Sequence, residues 1–152
     1  MNISTLGGNT PIEEILAHTE LIIRPGEFVL VGLEPDERVR LESDLTSIKS
    51  DFFQYIIEPD VLTLLLDSND WAHLSYHYPQ ANVEGPFRIF TFSVAMDWEV
   101  VGFLATVTGL LAQAGISLGA VCGYYRDHVF ISVEHAARAE EVLRAEIERL
   151  RG

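Results

Sequence analysis

The sequence predicts an α+β chain of two split β-α-β units lying side by side, with antiparallel sheets, helices on one face, and a degenerate first unit. Three observations lead there. Apolar stretches with the two-residue period of strands alternate with stretches of helical period. Their order is β-(polar stretch)-β-β-α in the first half and β-α-β-β-α in the second. At 152 residues and 48% hydrophobic, the chain makes one domain, or two very small ones sharing a core, and is too apolar for disorder.

The elements follow in order. Thr10-Pro11-Ile12-Glu13 reads as a capping box with proline at the first helical position, opening a helix that ends near Thr19. Pro25-Gly26 is a turn, and Phe28–Leu33 is a buried strand. Residues 34–50 are polar, with a short helix at Glu37–Leu41 standing where the second half has a full one. Phe52–Ile57 and Val61–Leu66 form a hairpin about Glu58-Pro59-Asp60. Ser68 caps a helix over Asn69–Tyr76 that Pro79 must end, and Gln80–Pro86 reads as a linker. The resulting division is 1–24 (N-terminal helix and lead-in), 25–80 (degenerate unit) and 86–152 (second unit).

The second half is more regular. Phe87–Ala95 is a strand with Phe90, Phe92 and Val94 on one face. Asp97 caps a helix from Trp98 to Ala114, with Val101, Leu104, Val107, Thr108 and Leu111 at helical spacing and Gly115 as its stop. Gly119–Tyr125 and His128–Glu134 form a hairpin about Arg126-Asp127. That turn pairs Tyr125 with His128 and Cys122 with Ile131. Alternation then places Ala120, Cys122, Tyr124, Val129, Ile131 and Val133 on a core face, with Val121, Gly123, Tyr125, His128, Phe130 and Ser132 opposite. The last helix, Ala136–Leu150, buries Ala139, Val142, Leu143, Ile147 and Leu150.

Charge excludes several functions. There are 23 acidic against 10 basic side chains, a net charge of −13. Lys49 is the single lysine and the arginines are scattered, so neither a phosphate backbone nor an anionic membrane is an expected partner. No stretch approaches the roughly 20 apolar residues of a membrane span, and Met1–Gly8 lacks the pattern of a signal peptide. Cys122 is the only cysteine. A cytoplasmic location is expected on these grounds.

Met96-Asp97-Trp98-Glu99-Val100-Val101-Gly102-Phe103-Leu104-Ala105, followed by Leu110-Leu111-Ala112-Gln113-Ala114-Gly115-Ile116-Ser117, resembles the ACT domain. Gly102 matches that family's glycine in the first helical turn, and Gly115-Ile116-Ser117 its exit pattern. Gly123–His128, with Pro25–Val29 and Glu58–Leu64 in the first half, is similar to a bacterial subgroup of short tandem-ACT proteins, distantly related to the cytosolic arginine sensors of animals. The resemblance covers roughly residues 12–150. It implies two ferredoxin-like units and an amino acid held between ACT units at the loop before the first helix. Val101 stands where the family usually has proline, and Trp98 either fills the pocket or lines it.

The helix start offers unpaired N–H groups and partial positive charge to a carboxylate, and Asp97 can pair with an ammonium group. The expected ligand-binding lip is therefore Asp97, Glu99, Val100, Val101, Gly102, Ser117 and Leu118. Each has an ordinary alternative. Asp97 is a helix cap worth about 1 kcal/mol, and Gly102 permits close helix–sheet packing. His73 and His77 are spaced for a metal, but Pro79 crowds their helix and a third ligand is lacking. His128 reads as an exposed hairpin residue and Cys122 as an inert buried thiol. No nucleophile–base constellation or phosphate-binding glycine pattern is present. The expectation is a non-enzymatic regulatory or sensor module for a small molecule of the amino-acid class, with no cofactor or metal and a homodimeric state. A ligand-free interaction module and a small enzyme are the competing classes.

Overall fold

A computed structural model describes residues 3–152. Its elements in chain order are α1 (Ile12–Ala17), β1 (Glu20–Ile23), β2 (Phe28–Leu33), α2 (Arg38–Asp44), β3 (Gln54–Ile57), β4 (Leu62–Asp67), α3 (Ser68–Leu74), β5 (Asn82–Ser93), α4 (Phe103–Gln113), β6 (Gly119–Cys122), β7 (Asp127–Ser132) and α5 (Val133–Arg151). The chain divides into two compact units: Gly26–Phe87, and the segment up to Pro25 together with Arg88–Gly152. No helix among the described residues is long and apolar enough to cross a membrane.

In the Gly26–Phe87 unit the strands lie in the order β3-β4-β2-β5, the last contributing its first six residues. β2 runs antiparallel to β4 from Phe28↔Asp67 to Leu33↔Leu62. Alternation sends Val31, Leu33, Leu62, Leu64 and Leu66 to one face, where Leu41 of α2 and Leu74 of α3 complete the core. The expected linker before Phe87 is instead strand, because Asn82, Val83 and Glu84 pair with β2. Asp67, rather than Ser68, caps α3: its Oδ1 accepts from the N–H of Asn69 at 2.7 Å and of Asp70 at 3.4 Å. The helix in the polar stretch is present but short, led in by a 3-10 turn at Pro35–Glu37.

Two carboxylates hold this unit's connections. Buried Asp70 accepts from the backbone N–H groups of Lys49 and Ser50, both at 3.1 Å. Asp70→Ala leaves both donors unmade and is expected to cost about 1–3 kcal/mol, read as a lower urea midpoint. Asp44 accepts from the Tyr78 hydroxyl at 2.6 Å and lies 2.8 Å from Nδ1 of His77. His73 meets the Asn69 carbonyl at 2.8 Å, so the two histidines are separately engaged. Among the described residues no group of three potential ligands is placed to hold a metal.

The second unit repeats the plan with a displaced piece. Its sheet order is β1-β5-β7-β6. The fourth strand of the β-α-β-β-α-β pattern comes from the N-terminus: Glu20–Ile23 pair antiparallel with Ser93–Phe90. Both units therefore have the ferredoxin-like strand order. Ile15, Leu16, Leu21, Phe90, Phe92, Phe103, Val107, Leu111, Val129, Ile131, Ala139, Leu143 and Ile147 form the core under α1, α4 and α5. The stop of α4 is as expected. Gly115 takes φ +73°, its N–H donates to Ala112 O and that of Ile116 to Leu111 O, which is a Schellman motif.

Three expectations in this unit are corrected. The capping box does not form: Pro11 occupies the cap position of α1, with no side-chain hydrogen bond there. Helix α4 begins at Phe103, five residues after Trp98. The hairpin is shifted: Gly119 pairs with Phe130 and Cys122 with Asp127, and the Gly123 N–H donates to Arg126 O at 2.9 Å. The shift is by an even number of residues, so the same residues share a face and Val129 and Ile131 are buried as expected. On β6 the expectation fails: Ala120 and Cys122 are exposed and Val121, placed on the opposite face, is buried. The neighbours change: Cys122 is exposed at the end of an edge strand, and Tyr124 leaves the strand for the turn. His128 is buried, its Nδ1 2.9 Å from the Thr91 hydroxyl.

Candidate functional site

Strand β5 delivers the chain to Met96, whose N–H donates to Tyr125 O at 2.9 Å and ties the following loop to the β6–β7 turn. The N-terminal segment holds the same loop from the other side. Leu6 forms a parallel bridge with Met96, Leu6 N–H donates to Ala95 O, and Asp97 N–H donates to Leu6 O, both at 2.9 Å. The Asp97 carboxylate accepts a hydrogen bond from the Thr5 hydroxyl. Asp97 is thus anchored in a loop, and its carbonyl accepts from Val100 N–H at 3.2 Å.

Gly102 ends the loop at φ +93° and ψ 0°. Only glycine adopts that conformation without strain. A Cβ there would meet nothing closer than Ile12 Cγ1 at 3.9 Å, so backbone conformation, and not tight packing, explains the residue. As the cap of α4 it has no side chain to accept the first-turn N–H groups, which are left with their partial positive charge. Its own carbonyl is engaged by the N–H and hydroxyl of Thr106, at 3.0 and 2.8 Å.

Between this loop, the start of α4 and the Gly123–Arg126 turn lies an open cleft of 390 Å³. Asp97, Arg126 and Asp127 are its charged residues. Arg126 Nε is buried and without a hydrogen-bond partner among the described residues. Burial and neighbouring Asp127 push the Cys122 thiol up from its usual value, which disfavours a thiolate. Trp98, Val101 and Tyr124 are 97%, 84% and 91% exposed, so Trp98 borders the cleft without filling it.

Of the expected lip, Asp97, Val100 and Gly102 line the cleft. Glu99 and Val101 belong to the same loop but stand outside the lining. Glu99 lies against Gly8, where an added Cβ would come within 2.7 Å of its own. Ser117 and Leu118 lie past the other end of α4, where Leu118 packs on the core. The sequence reading missed the turn residues, Tyr124 to Asp127. A turn placed at Gly123–Arg126 would have found them.

The Gly26–Phe87 unit has a hollow in the corresponding place, between Pro35 and Arg38 at the lead-in to α2 and the Glu58-Pro59 turn. Its chemistry differs. Arg38 Nε is 2.7 Å from Glu42, and that ion pair holds the Arg38 guanidinium above its usual pKa.

Residues 82–145 match the ACT domain family model. No curated protein matches the chain. Among solved structures, a protein of unknown function from Vibrio cholerae is 25% identical, with 90% of this chain and 95% of that one covered at a TM-score of 0.70. A protein from Agrobacterium tumefaciens is 17% identical, with 85% and 89% covered at 0.68. The regulatory subunit of aspartate kinase from Thermus thermophilus is 12% identical, with 84% and 97% covered at 0.65. The fold is that of two ACT-like units.

Proposed function

We propose that this chain, which carries an ACT domain over residues 82–145, is a non-enzymatic regulatory module that binds an amino acid in the cleft beside Asp97. One observation carries the reading: the cleft opens on the uncapped start of α4 with Asp97 at its edge. A ligand carboxylate suits the helix start, and its ammonium group suits Asp97. Val100 and Gly102 complete the lip, with Glu99 and Val101 on the flanking loop. The regulatory subunit of aspartate kinase, similar in fold, supports the same class of role. The net charge of −13 favours a neutral or cationic ligand over an acidic one.

The competing reading, a ligand-free interaction module, expects Trp98 to plug the cleft, whereas Trp98 is 97% exposed. A thermal-shift panel of the twenty amino acids tests the proposal. A ligand at 100 times its Kd stabilises by about 2.7 kcal/mol, and Asp97→Asn is expected to reduce that shift. A flat panel at millimolar concentration, for protein of normal melting behaviour, sinks the reading.

A further inference from the structure

The most exposed aromatic side chains of the second unit are not scattered. Trp98 and Tyr124, 97% and 91% exposed, come from two different loops and both border the one cleft. Neither aromatic serves the core, and each leaves almost its whole ring area in water, an arrangement that marks binding surfaces. The charged groups of the same cleft are Asp97, Asp127 and Arg126, whose Nε is buried and unpartnered among the described residues. One end of an occupant thus meets charge of both signs and the other meets apolar rings.

We infer that the ligand is an α-amino acid with an aromatic side chain, its zwitterionic end at Asp97 and the α4 start and its ring against Trp98 and Tyr124. This rests on the amino-acid reading above and narrows it. A cationic side chain such as arginine would find aromatic faces too, but an aromatic side chain gains by removing both its own ring and the two exposed rings from water. The corresponding hollow of the first unit offers Pro35, Ile57 and Pro59 with the paired Arg38 and no aromatic residue, so a single site is expected.

The test uses the full chain with L-phenylalanine, L-tyrosine, L-tryptophan, L-arginine, L-lysine and L-alanine in parallel thermal shifts. Phenylalanine titrations are also followed by tryptophan emission, which phenylalanine does not contribute. Expected results are the largest shifts for the three aromatic amino acids, one site per chain, and an emission change that Trp98→Ala abolishes. Trp98→Ala and Tyr124→Ala should each weaken binding by about tenfold. Their unliganded melting temperatures should hold, because both side chains are exposed. Larger shifts with arginine, lysine or alanine overturn the aromatic assignment and leave the amino-acid reading standing. No shift with any amino acid overturns both. Trp98→Ala altering oligomeric state in sedimentation, without altering phenylalanine binding, assigns the aromatic rim to a second copy of the chain and overturns the inference.

Discussion

Removal of residues 3–23 is expected to unfold the unit that holds the cleft. The segment is not a lead-in to that unit but part of it. Its strand β1 covers one side of β5, from Glu20↔Ser93 to Ile23↔Phe90. Without it, the N–H and C=O groups on that side of β5 lose their partners. Ile15, Leu16 and Leu21 are 0%, 3% and 5% exposed in the core. At about 1.5–3 kcal/mol for each buried side chain, the three together contribute an amount comparable to a small domain's whole stability of about 5–15 kcal/mol. Helix α5 would also lose its grip. Arg151 donates to Ala17 O and Thr19 O, both at 2.8 Å, and Arg144 to Leu21 O at 3.2 Å. Hydrogen exchange should show lost protection through α4, β7 and α5, and ligand-induced stabilisation should vanish. Leu21→Ala gives the graded version, at about 2–5 kcal/mol. A shortened chain that melts cooperatively at the intact chain's temperature would contradict this account.

The reason β1 escaped sequence analysis is physical. Glu20-Leu21-Ile22-Ile23 is four residues long, and its partner strand lies some seventy residues away in the chain, so neither a turn nor a long alternation announces it. Elements with their own periodicity and their own terminators were legible. Val107 and Leu111 of the α4 stripe, the Schellman stop at Gly115 and the buried face of α5 all rest on local pattern, whereas Val101 is exposed outside the helix and buried Phe103 was missed. So did the Glu58-Pro59-Asp60 hairpin, where Glu58 N–H donates to Val61 O at 3.0 Å. The cleft was half legible. Asp97 and Gly102 mark it in sequence, but Asp97, read as a helix cap, drew the start of α4 back to Trp98. The φ of +93° at Gly102 instead ends the loop there and leaves residues 97–101 outside the helix. The other wall depended on hairpin register. Asp127 was read as a turn residue, whereas it belongs to β7 opposite Cys122. Register was underdetermined because the two strands alternate alike at either setting, and only the turn geometry distinguishes them.

Acidification from pH 6.5 downward is expected to destabilise the protein through His128. The ring lies in β7 on the sheet face away from the helices, 6% exposed, with Nδ1 2.9 Å from the Thr91 hydroxyl. Arg24 Nε donates to that same hydroxyl at 3.2 Å, which keeps a second lone pair and its own proton for Nδ1. Either tautomer of the neutral ring satisfies this contact. Burial first, then the nearby Arg24 and Arg126 cations, push its pKa from 6.5 down to about 4. The unfolded chain therefore takes up a proton that the folded chain refuses. Stability is fully present above pH 6.5 and falls as pH drops through the interval to about 4, by at most about 3 kcal/mol. Native carboxylates begin to protonate at the lower end, so the upper part of the interval, above about pH 5, isolates the histidine. Urea midpoints measured there should fall with acidification, and His128→Gln, which keeps a hydrogen-bonding side chain and cannot titrate, should flatten the slope. Because Arg126 both neighbours His128 and lines the cleft, a proton on the ring places a second cation beside the arginine of the cleft. A slope unchanged by His128→Gln would mean that the folded chain accepts the proton as readily as the unfolded one, against the burial of the ring beside Arg24 and Arg126.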